Sequence, residues 1–237
     1  MVADKASRLV AAGEPLVVLG PPARFVSRGG DKLDAALERF EIPVAGRVAL
    51  DAGASTGGFT DCLLQRGAAR VVAVDVGHGQ LHERMRSDGR VESHERLNVR
   101  HLDARRLGGP FPLVVADLSF ISLRSVAAPL VAATATGGDL VVLVKPQFEV
   151  GRREVSRGRG VVRSPAAWRE AVLGVEAAMR TAGAVMMGLV ASPIRGADGN
   201  VELLAHLRPG AAAEAAPEPG SLIEAALAGV DPEARGS

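Results

Sequence analysis

The chain has 237 residues, 28 of them basic and 27 acidic, so its net charge is +1, and 47% of its residues are apolar. This length and balance suit one large globular domain with short appendages. Aromatic residues make up only 3% and Cys62 is the single cysteine, which disfavours a surface that stacks many bases and excludes an internal disulfide. We therefore expect a cytoplasmic protein without a metal centre or a membrane span.

The predicted elements alternate along most of the chain. Residues 1–23 suggest a short strand or two and a Pro-Pro linker, and helical spacing of apolar residues predicts a helix over 29–40. Further strands are predicted at 47–53, 70–77, 98–104, 112–120, 139–145, 184–194 and 200–208, and helices at 57–67, 80–88, 122–136 and 164–183.

This alternation predicts an α/β fold with a seven-stranded, mostly parallel sheet and helices on both faces. The link between the last two strands, RGADG, is too short for a crossover helix, so these strands should be antiparallel. We expect one domain over 24–208. The Ala/Pro/Glu-rich tail, 209–237, should be mobile apart from a short helix near 221–229.

A glycine-rich turn, LDAGASTGGFT (50–60), connects the first predicted strand to a helix. Its glycines allow close approach of a ligand, and the helix start offers free N–H groups. The turn lacks the dinucleotide-binding and P-loop spacings, and it carries Asp51 at the strand end. A carboxylate there would repel a pyrophosphate but suits S-adenosylmethionine, which has a cationic amine beside its carboxylate.

Two more acids follow predicted strands and extend this interpretation. Asp75 could accept the ribose hydroxyls and Asp103 could reach the adenine amino group, because open α/β sheets bind ligands at strand carboxyl ends. The alternative is that Asp51 caps the turn and Asp75 is a solvated strand end. The candidate cofactor residues are Asp51, Gly53, Ser55, Thr56, Gly57, Gly58, Phe59, Asp75, Asp103 and Asp117.

The fourth predicted strand ends at Asp117 and the fifth at Lys145. We expect these strands to be neighbours, which places both side chains beside the ligand crevice. Pro146 disfavours the helical region at Lys145 and should keep its backbone extended. For Lys32 and Glu202 the spacing also allows an interpretation without a catalytic role. Lys32 fits a solvated helix face, and Glu202 fits an edge-strand charge that blocks aggregation.

Five segments are characteristic when taken together: FVSRGGDKLDAAL, DAGASTGGFTDCLL, ADLSFISL, VKPQFEVGR and GVVRSPAAW. With them, residues 24–207 resemble the TlyA family, the hemolysin-like ribosomal RNA 2′-O-methyltransferases of the FtsJ-like group. The resemblance implies a class I methyltransferase fold, S-adenosylmethionine as the methyl donor, and methylation of a cytidine ribose in ribosomal RNA. It also implies a catalytic tetrad of Lys32, Asp117, Lys145 and Glu202.

The same resemblance implies an N-terminal RNA-binding domain, of which residues 1–23 look like only the end. Lys145 is the candidate base, oriented by Asp117, with Glu202 positioning Lys32. Ribosomal RNA or a ribosomal subunit is the expected partner, and the basic segment 151–163 is the expected phosphate contact. Its candidate residues are Arg152, Arg153, Arg157, Arg159 and Arg163.

A second arginine set lies between 84 and 106 among acids and suggests a solvated surface. Phe120 and Phe148 could pack against a flipped base, although a place in the core is the simpler interpretation. Three other functions stay open: methylation of a small molecule, a membrane-active hemolysin, and a non-catalytic binder of cofactor or RNA. The basic segment argues against the first, and the lack of a spanning or aromatic amphipathic segment argues against the second.

Overall fold

The computed structural model describes residues 23–151, 158, 160–196, 198–212 and 216–232. Its strands are β1 (Val48–Ala52), β2 (Arg70–Val74), β3 (Val91–His94), β4 (Phe111–Ala116), β5 (Thr134–Val144), β6 (Ala184–Ala191) and β7 (Leu203–Pro209). Its helices are α1 (Gly29–Arg39), α2 (Gly58–Gln65), α3 (Glu83–Arg86), α4 (Ala127–Ala133), α5 (Pro146–Glu149), α6 (Pro165–Thr181) and α7 (Pro219–Leu227).

The described strands form a seven-stranded sheet in the order β3-β2-β1-β4-β5-β7-β6. β1 to β5 pair in parallel, and β7 is antiparallel to both β5 and β6. The predicted fold, with its antiparallel last strand, is therefore confirmed. The strand order reverses between β1 and β4, and ligands bind α/β sheets at the carboxyl ends of strands beside such a switch point.

Each face of the sheet carries its own apolar core. Leu50 and Ala52 face a cluster built with α4, α6 and α7, in which Trp168 is buried. Ala49, directly before Leu50 in the chain, faces the other cluster, which α1 and α2 complete. This alternation with a period of two residues explains why the central strands are continuous apolar runs, because both of their faces are covered.

The third strand differs from the prediction. β3 spans 91–94, whereas the predicted strand at 98–104 consists of two 3-10 turns, Val99–His101 and Ala104–Leu107. The side chains of Asn98 and Asp103 accept hydrogen bonds from backbone N–H groups two residues on, which start these turns. Such local bonds compete with strand pairing, and the apolar spacing alone did not reveal them.

Two further segments differ from their predicted structure. The predicted helix at 122–136 is a 3-10 turn, Leu123–Val126, followed by α4, and β5 begins early at Thr134. In the predicted mobile tail, α7 packs against β6 and α6 and buries Ile223 completely. This part of the tail is therefore attached to the domain by apolar contact.

Candidate active site

Lys145 and Asp117 meet at the carboxyl edge of the sheet. β4 and β5 pair in parallel, with Ala116 opposite Val142, so the residues that follow them leave the sheet side by side. Lys145 Nζ lies 2.6 Å from Asp117 Oδ1 as an ion pair and donates a 2.9 Å hydrogen bond to Ser119 Oγ. Lys145 has φ −112° and ψ 101°, and Pro146 begins α5. The expected extended backbone before proline is confirmed.

Lys32 and Glu202 form a second buried pair. Lys32 lies on α1, and Glu202 immediately precedes β7. Their charged atoms, Nζ and Oε2, are 2.5 Å apart, and the residues are only 9% and 4% exposed. The solvated interpretations of these two residues are therefore wrong. Spacing could not reveal the contact because 170 positions separate the partners.

A single cavity of about 640 Å³ brings the two pairs together. Lys32, Asp117, Lys145 and Glu202 all line it, as do Gly53, Ser55, Thr56, Gly58 and Phe59 of the glycine-rich turn. Most of the predicted catalytic and cofactor residues therefore surround one space. This cavity is called the tetrad cavity below.

The glycine-rich turn packs against the tetrad. Gly53 has φ +87°, and a Cβ there would lie 2.4 Å from the carbonyl oxygen of Asp117. Gly58, the first residue of α2, would place a Cβ 2.2 Å from Ser27 Oγ. Both positions need glycine because neighbouring groups occupy the space of a side chain.

Asp51 lies in the interior, completely buried, and lines neither this cavity nor its neighbour. Thr60 Oγ1 donates to its Oδ2 at 2.6 Å, while Oδ1 has no hydrogen-bond partner among the described residues. Burial raises the pKa of Asp51 to about 7; the bond from Thr60 opposes the shift, and the Asp117 carboxylate adds to it. A nearby ammonium would stabilise the ionised form, which fits the amine of S-adenosylmethionine.

A second cavity of about 550 Å³ adjoins the first and shares Gly53, Ser55, Asp117, Ser119 and Phe120 with it. We call it the nucleoside cavity. Asp75 lies at its edge and accepts hydrogen bonds from the N–H groups of Ser55 at 2.8 Å and Gly77 at 2.6 Å.

The remaining walls of the nucleoside cavity are mostly apolar and were missed by sequence reasoning. They are Val76, Leu97, Val99, Leu118 and Ile121, with Asn98, Gln80 and Arg100 as polar members. Val76 is 69% exposed. Exposure of an apolar side chain beside a cavity can mark a ligand site, but that exposure is known only from the structure. A carboxylate beside flat apolar walls suits a ribose and an adenine ring.

Two predicted cofactor residues lie elsewhere. Asp103 caps the turn Ala104–Leu107 and pairs with Arg106 at 3.2 Å, and it lines neither cavity. Its assignment assumed that a strand precedes it, which the fold does not support. Gly57 also lines neither cavity; it has φ +95° and caps the start of α2.

Glu149 connects the two loops that carry Asp117 and Lys145. Its buried carboxylate accepts hydrogen bonds from Ser122 Oγ at 2.6 Å and from the N–H of Leu123 at 2.7 Å. Arg124 donates to its backbone oxygen at 2.7 Å. The segments ADLSFISL and VKPQFE are therefore joined twice, once at Lys145 and once at Glu149. Sequence reasoning missed this second connection.

The predicted RNA contacts are only partly visible. Arg152, Arg153, Arg157 and Arg159 lie outside the described residues, and Arg163 is exposed. In the second arginine set, Arg90 pairs with Asp88 at 2.7 Å.

Phe120 is 92% exposed, so its expected place in the core is wrong. It has φ +62°, and its ring centroid is 5.4 Å from that of Phe148. Both rings lie at the edge of the tetrad cavity.

Two further features are absent from the described ranges. These residues contain no cluster of three or more His, Cys, Asp or Glu side chains that could hold a metal ion. None of their helices has the length and apolar character needed to cross a bilayer.

Known proteins are similar to this chain in sequence and fold. The FtsJ-like methyltransferase family matches residues 25–208. The 16S/23S rRNA (cytidine-2′-O)-methyltransferase TlyA of Mycobacterium tuberculosis (strain ATCC 25618 / H37Rv) is 52% identical over 192 residues, which are 81% of this chain and 71% of that protein.

Two solved structures extend the comparison. A hemolysin-named protein from Streptococcus thermophilus is 40% identical, with a TM-score of 0.80 over 87% of this chain and 76% of that one. The N-methyltransferase NodS from Bradyrhizobium japonicum WM9 is 18% identical, with a TM-score of 0.54 over 77% of this chain and 97% of that one. The latter likeness concerns the fold alone.

Proposed function

The chain belongs to the FtsJ-like methyltransferase family, and from this premise we propose that it transfers a methyl group from S-adenosylmethionine to a cytidine ribose 2′-OH in ribosomal RNA. The observation that carries the proposal is the tetrad cavity, where two buried lysine–carboxylate pairs from distant parts of the chain face one space. A structural role would not require buried lysines beside an open cavity, since buried ammonium groups are costly.

The described residues fit S-adenosylmethionine. Asp75 would hold the ribose hydroxyls, and the apolar walls of the nucleoside cavity would hold the adenine. Gly53 lines both cavities, so its backbone borders the space that a ligand would occupy. The ionised carboxylate of Asp51 would balance the charge of the amine. When bound, this donor would supply an electrophilic methyl group.

The protein must then deprotonate and orient the ribose hydroxyl. Lys145, as a neutral amine, accepts the proton of the 2′-OH, and Asp117 stabilises the ammonium ion that results. Lys32, fixed by Glu202, provides a positive charge at the same cavity, where it can hold the sugar oxygen or a neighbouring phosphate. Much of the rate gain would come from holding the oxygen in line with the methyl group.

Ribosomal RNA as the substrate is consistent with the exposed basic residues at the cavity rim. Arg28 lines the tetrad cavity and is exposed. The basic segment that contains Arg163 follows the Lys145 loop and would contact backbone phosphates there. An enzyme acting on ribosomal RNA would work in the cytoplasm.

The test is mass-spectrometric mapping of 2′-O-methylcytidine in ribosomal RNA after incubation with the purified protein and isotopically labelled S-adenosylmethionine. We expect labelled cytidine with the wild-type protein and none with Lys145→Ala. Label found only on small molecules of a metabolite extract would overturn the proposal. The hemolysin name of the S. thermophilus relative motivates one parallel assay: dye leakage from liposomes at the same protein concentration, where we expect none.

A further inference from the structure

Ser119 makes a contact with the candidate base that the tetrad does not include. Its Oγ accepts a 2.9 Å hydrogen bond from Lys145 Nζ, and Asp117 Oδ1 lies 2.6 Å from the same nitrogen. Lys145 is only 8% exposed, while Ser119 is exposed and lines both cavities. Ser119 is therefore placed between the base and the space for substrate and cofactor.

The number of hydrogens on the amine gives this contact a meaning. A neutral lysine amine carries two N–H groups and one lone pair, whereas the ammonium form carries three N–H groups. Among the described residues, Ser119 Oγ is the hydrogen-bond acceptor of Lys145 Nζ; Asp117 Oδ1 lies 2.6 Å away as an ion-pair partner but accepts no hydrogen bond. In the neutral form one N–H is therefore directed at Ser119, and the lone pair takes a direction away from it, toward the space for a substrate hydroxyl.

Asp117 would not fix that direction, because it accepts no hydrogen bond from Lys145. Rotation about the last carbon–nitrogen bond of Lys145 exchanges the lone pair with a hydrogen, which gives the lone pair three staggered positions. The hydrogen bond to Ser119 Oγ excludes the position that faces Ser119. A general base acts only when its lone pair faces the proton it removes, so this hydrogen bond raises the fraction of productive orientations.

The backbone around Ser119 holds it in place. Phe120, directly after it, has φ +62°, a region that is unfavourable for an aromatic residue and needs support from its surroundings. That support is visible two and three residues on, where Glu149 binds Ser122 and Leu123. The loop therefore turns sharply after Ser119 and is fastened to the helix that follows Lys145.

We propose that Ser119 is a positioning residue, which orients the lone pair of neutral Lys145 toward the ribose hydroxyl. The proposal rests on the proposed function, because it assumes that Lys145 removes the proton of the 2′-OH. Ser119 takes part in no bond-forming step; it accepts a hydrogen bond from Lys145 before and after the proton is transferred.

The experiment compares Ser119→Ala and Ser119→Thr with the wild-type protein in steady-state methyl transfer to ribosomal RNA. We expect Ser119→Ala to lower kcat about twofold to threefold while KM for RNA and the calorimetric affinity for S-adenosylmethionine stay unchanged. Ser119→Thr keeps the hydroxyl and should recover most of kcat. Ser125→Ala is the matched control, because Ser125 lies on the same segment and bonds only to the backbone oxygen of Ser122.

The order of the two variants separates positioning from packing. If Ser119 only filled space, the larger threonine would be the more harmful change and alanine would be tolerated; this order would overturn the proposal, as would a wild-type kcat for Ser119→Ala. Absence of methyl transfer by the wild-type protein would instead overturn the proposed function, and the role of Ser119 with it.

Discussion

Buried charges lie both at the amino ends and at the carboxyl ends of the parallel strands, which we call the amino edge and the carboxyl edge, but their surroundings differ. At the amino edge of the parallel strands, Asp139 accepts hydrogen bonds from Arg47 at 2.7 Å, His206 at 2.9 Å and Arg208 at 3.0 Å. At the carboxyl edge, Lys145 and Lys32 each have a carboxylate partner, yet both face the tetrad cavity. The first cluster is closed, and the second is open to a ligand.

The pKa values of two aspartates express the same contrast. Burial by itself would raise the pKa of Asp139, but its three hydrogen bonds, from His206, Arg47 and Arg208, lower it well below the ordinary value. Burial raises the pKa of Asp51 to about 7, and the single bond from Thr60 does not compensate. A buried acid whose oxygens are all hydrogen-bonded stabilises a fold, whereas a buried acid with a raised pKa and an unpaired oxygen indicates a functional role.

The largest effect is expected at the carboxyl edge, where the charges are open to a ligand. Lys145→Ala should lower kcat for methyl transfer by about a thousandfold, because the candidate base is removed. Affinity for S-adenosylmethionine, measured by calorimetry, should be retained. Turnover close to that of the wild-type protein would exclude Lys145 as the base.

The next change removes the central carboxylate of the closed cluster at the amino edge. Asp139→Asn leaves Arg47, Arg208 and His206 without their carboxylate and should lower the free energy of unfolding by about 3 kcal/mol, measured in urea. Methyl transfer per folded molecule should persist, because Asp139 lines neither cavity. Loss of kcat in folded protein would contradict the contrast between the two edges.

The wild-type Asp139 should also make stability depend on acid pH. Its lowered pKa means that the ionised form favours the folded state, so its contribution is complete above about pH 4 and is lost as the pH falls further. In Asp139→Asn this acid loss should be smaller.

Asp51 should show the opposite dependence. Its pKa is raised from 3.8 to about 7, so protonation favours the fold and its contribution to stability falls as the pH rises between these values. A bound amine needs the ionised form, so affinity for S-adenosylmethionine should weaken about tenfold from pH 7.5 to pH 6. Calorimetry on Asp51→Asn should give weaker binding with a flat pH profile; an unchanged affinity would count against this site.

The smallest expected effect concerns Gly196, which packs against Glu202 of the Lys32–Glu202 pair. A Cβ at Gly196 would lie 2.6 Å from Glu202 Oε1, so Gly196→Ala should displace this carboxylate from Lys32 and lower kcat about threefold. Gly89→Ala is the control, because a Cβ there meets no atom within 4 Å. Equal kcat values for the two variants would show that the position of Glu202 is not critical.

Much of the open edge was predictable from local sequence. Asp117 and Lys145 end apolar runs, and parallel strands bring their carboxyl ends to one edge, so their proximity followed from strand order. Asp103 shows the limit of that reasoning, because its place depended on a strand that side-chain hydrogen bonds had replaced with 3-10 turns.

The sequence by itself determined the alternating α/β pattern, the glycine-rich turn and the extended backbone at Lys145, because these depend on residue types a few positions apart. Only the tertiary structure decided that Lys32 meets Glu202 and that Ser119 contacts Lys145. It also decided that Asp51 is buried, with an Oδ1 atom that bonds to none of the described residues. Those facts arise where distant segments pack together, and a linear pattern carries no information about how deeply a charge is buried or which distant group it meets.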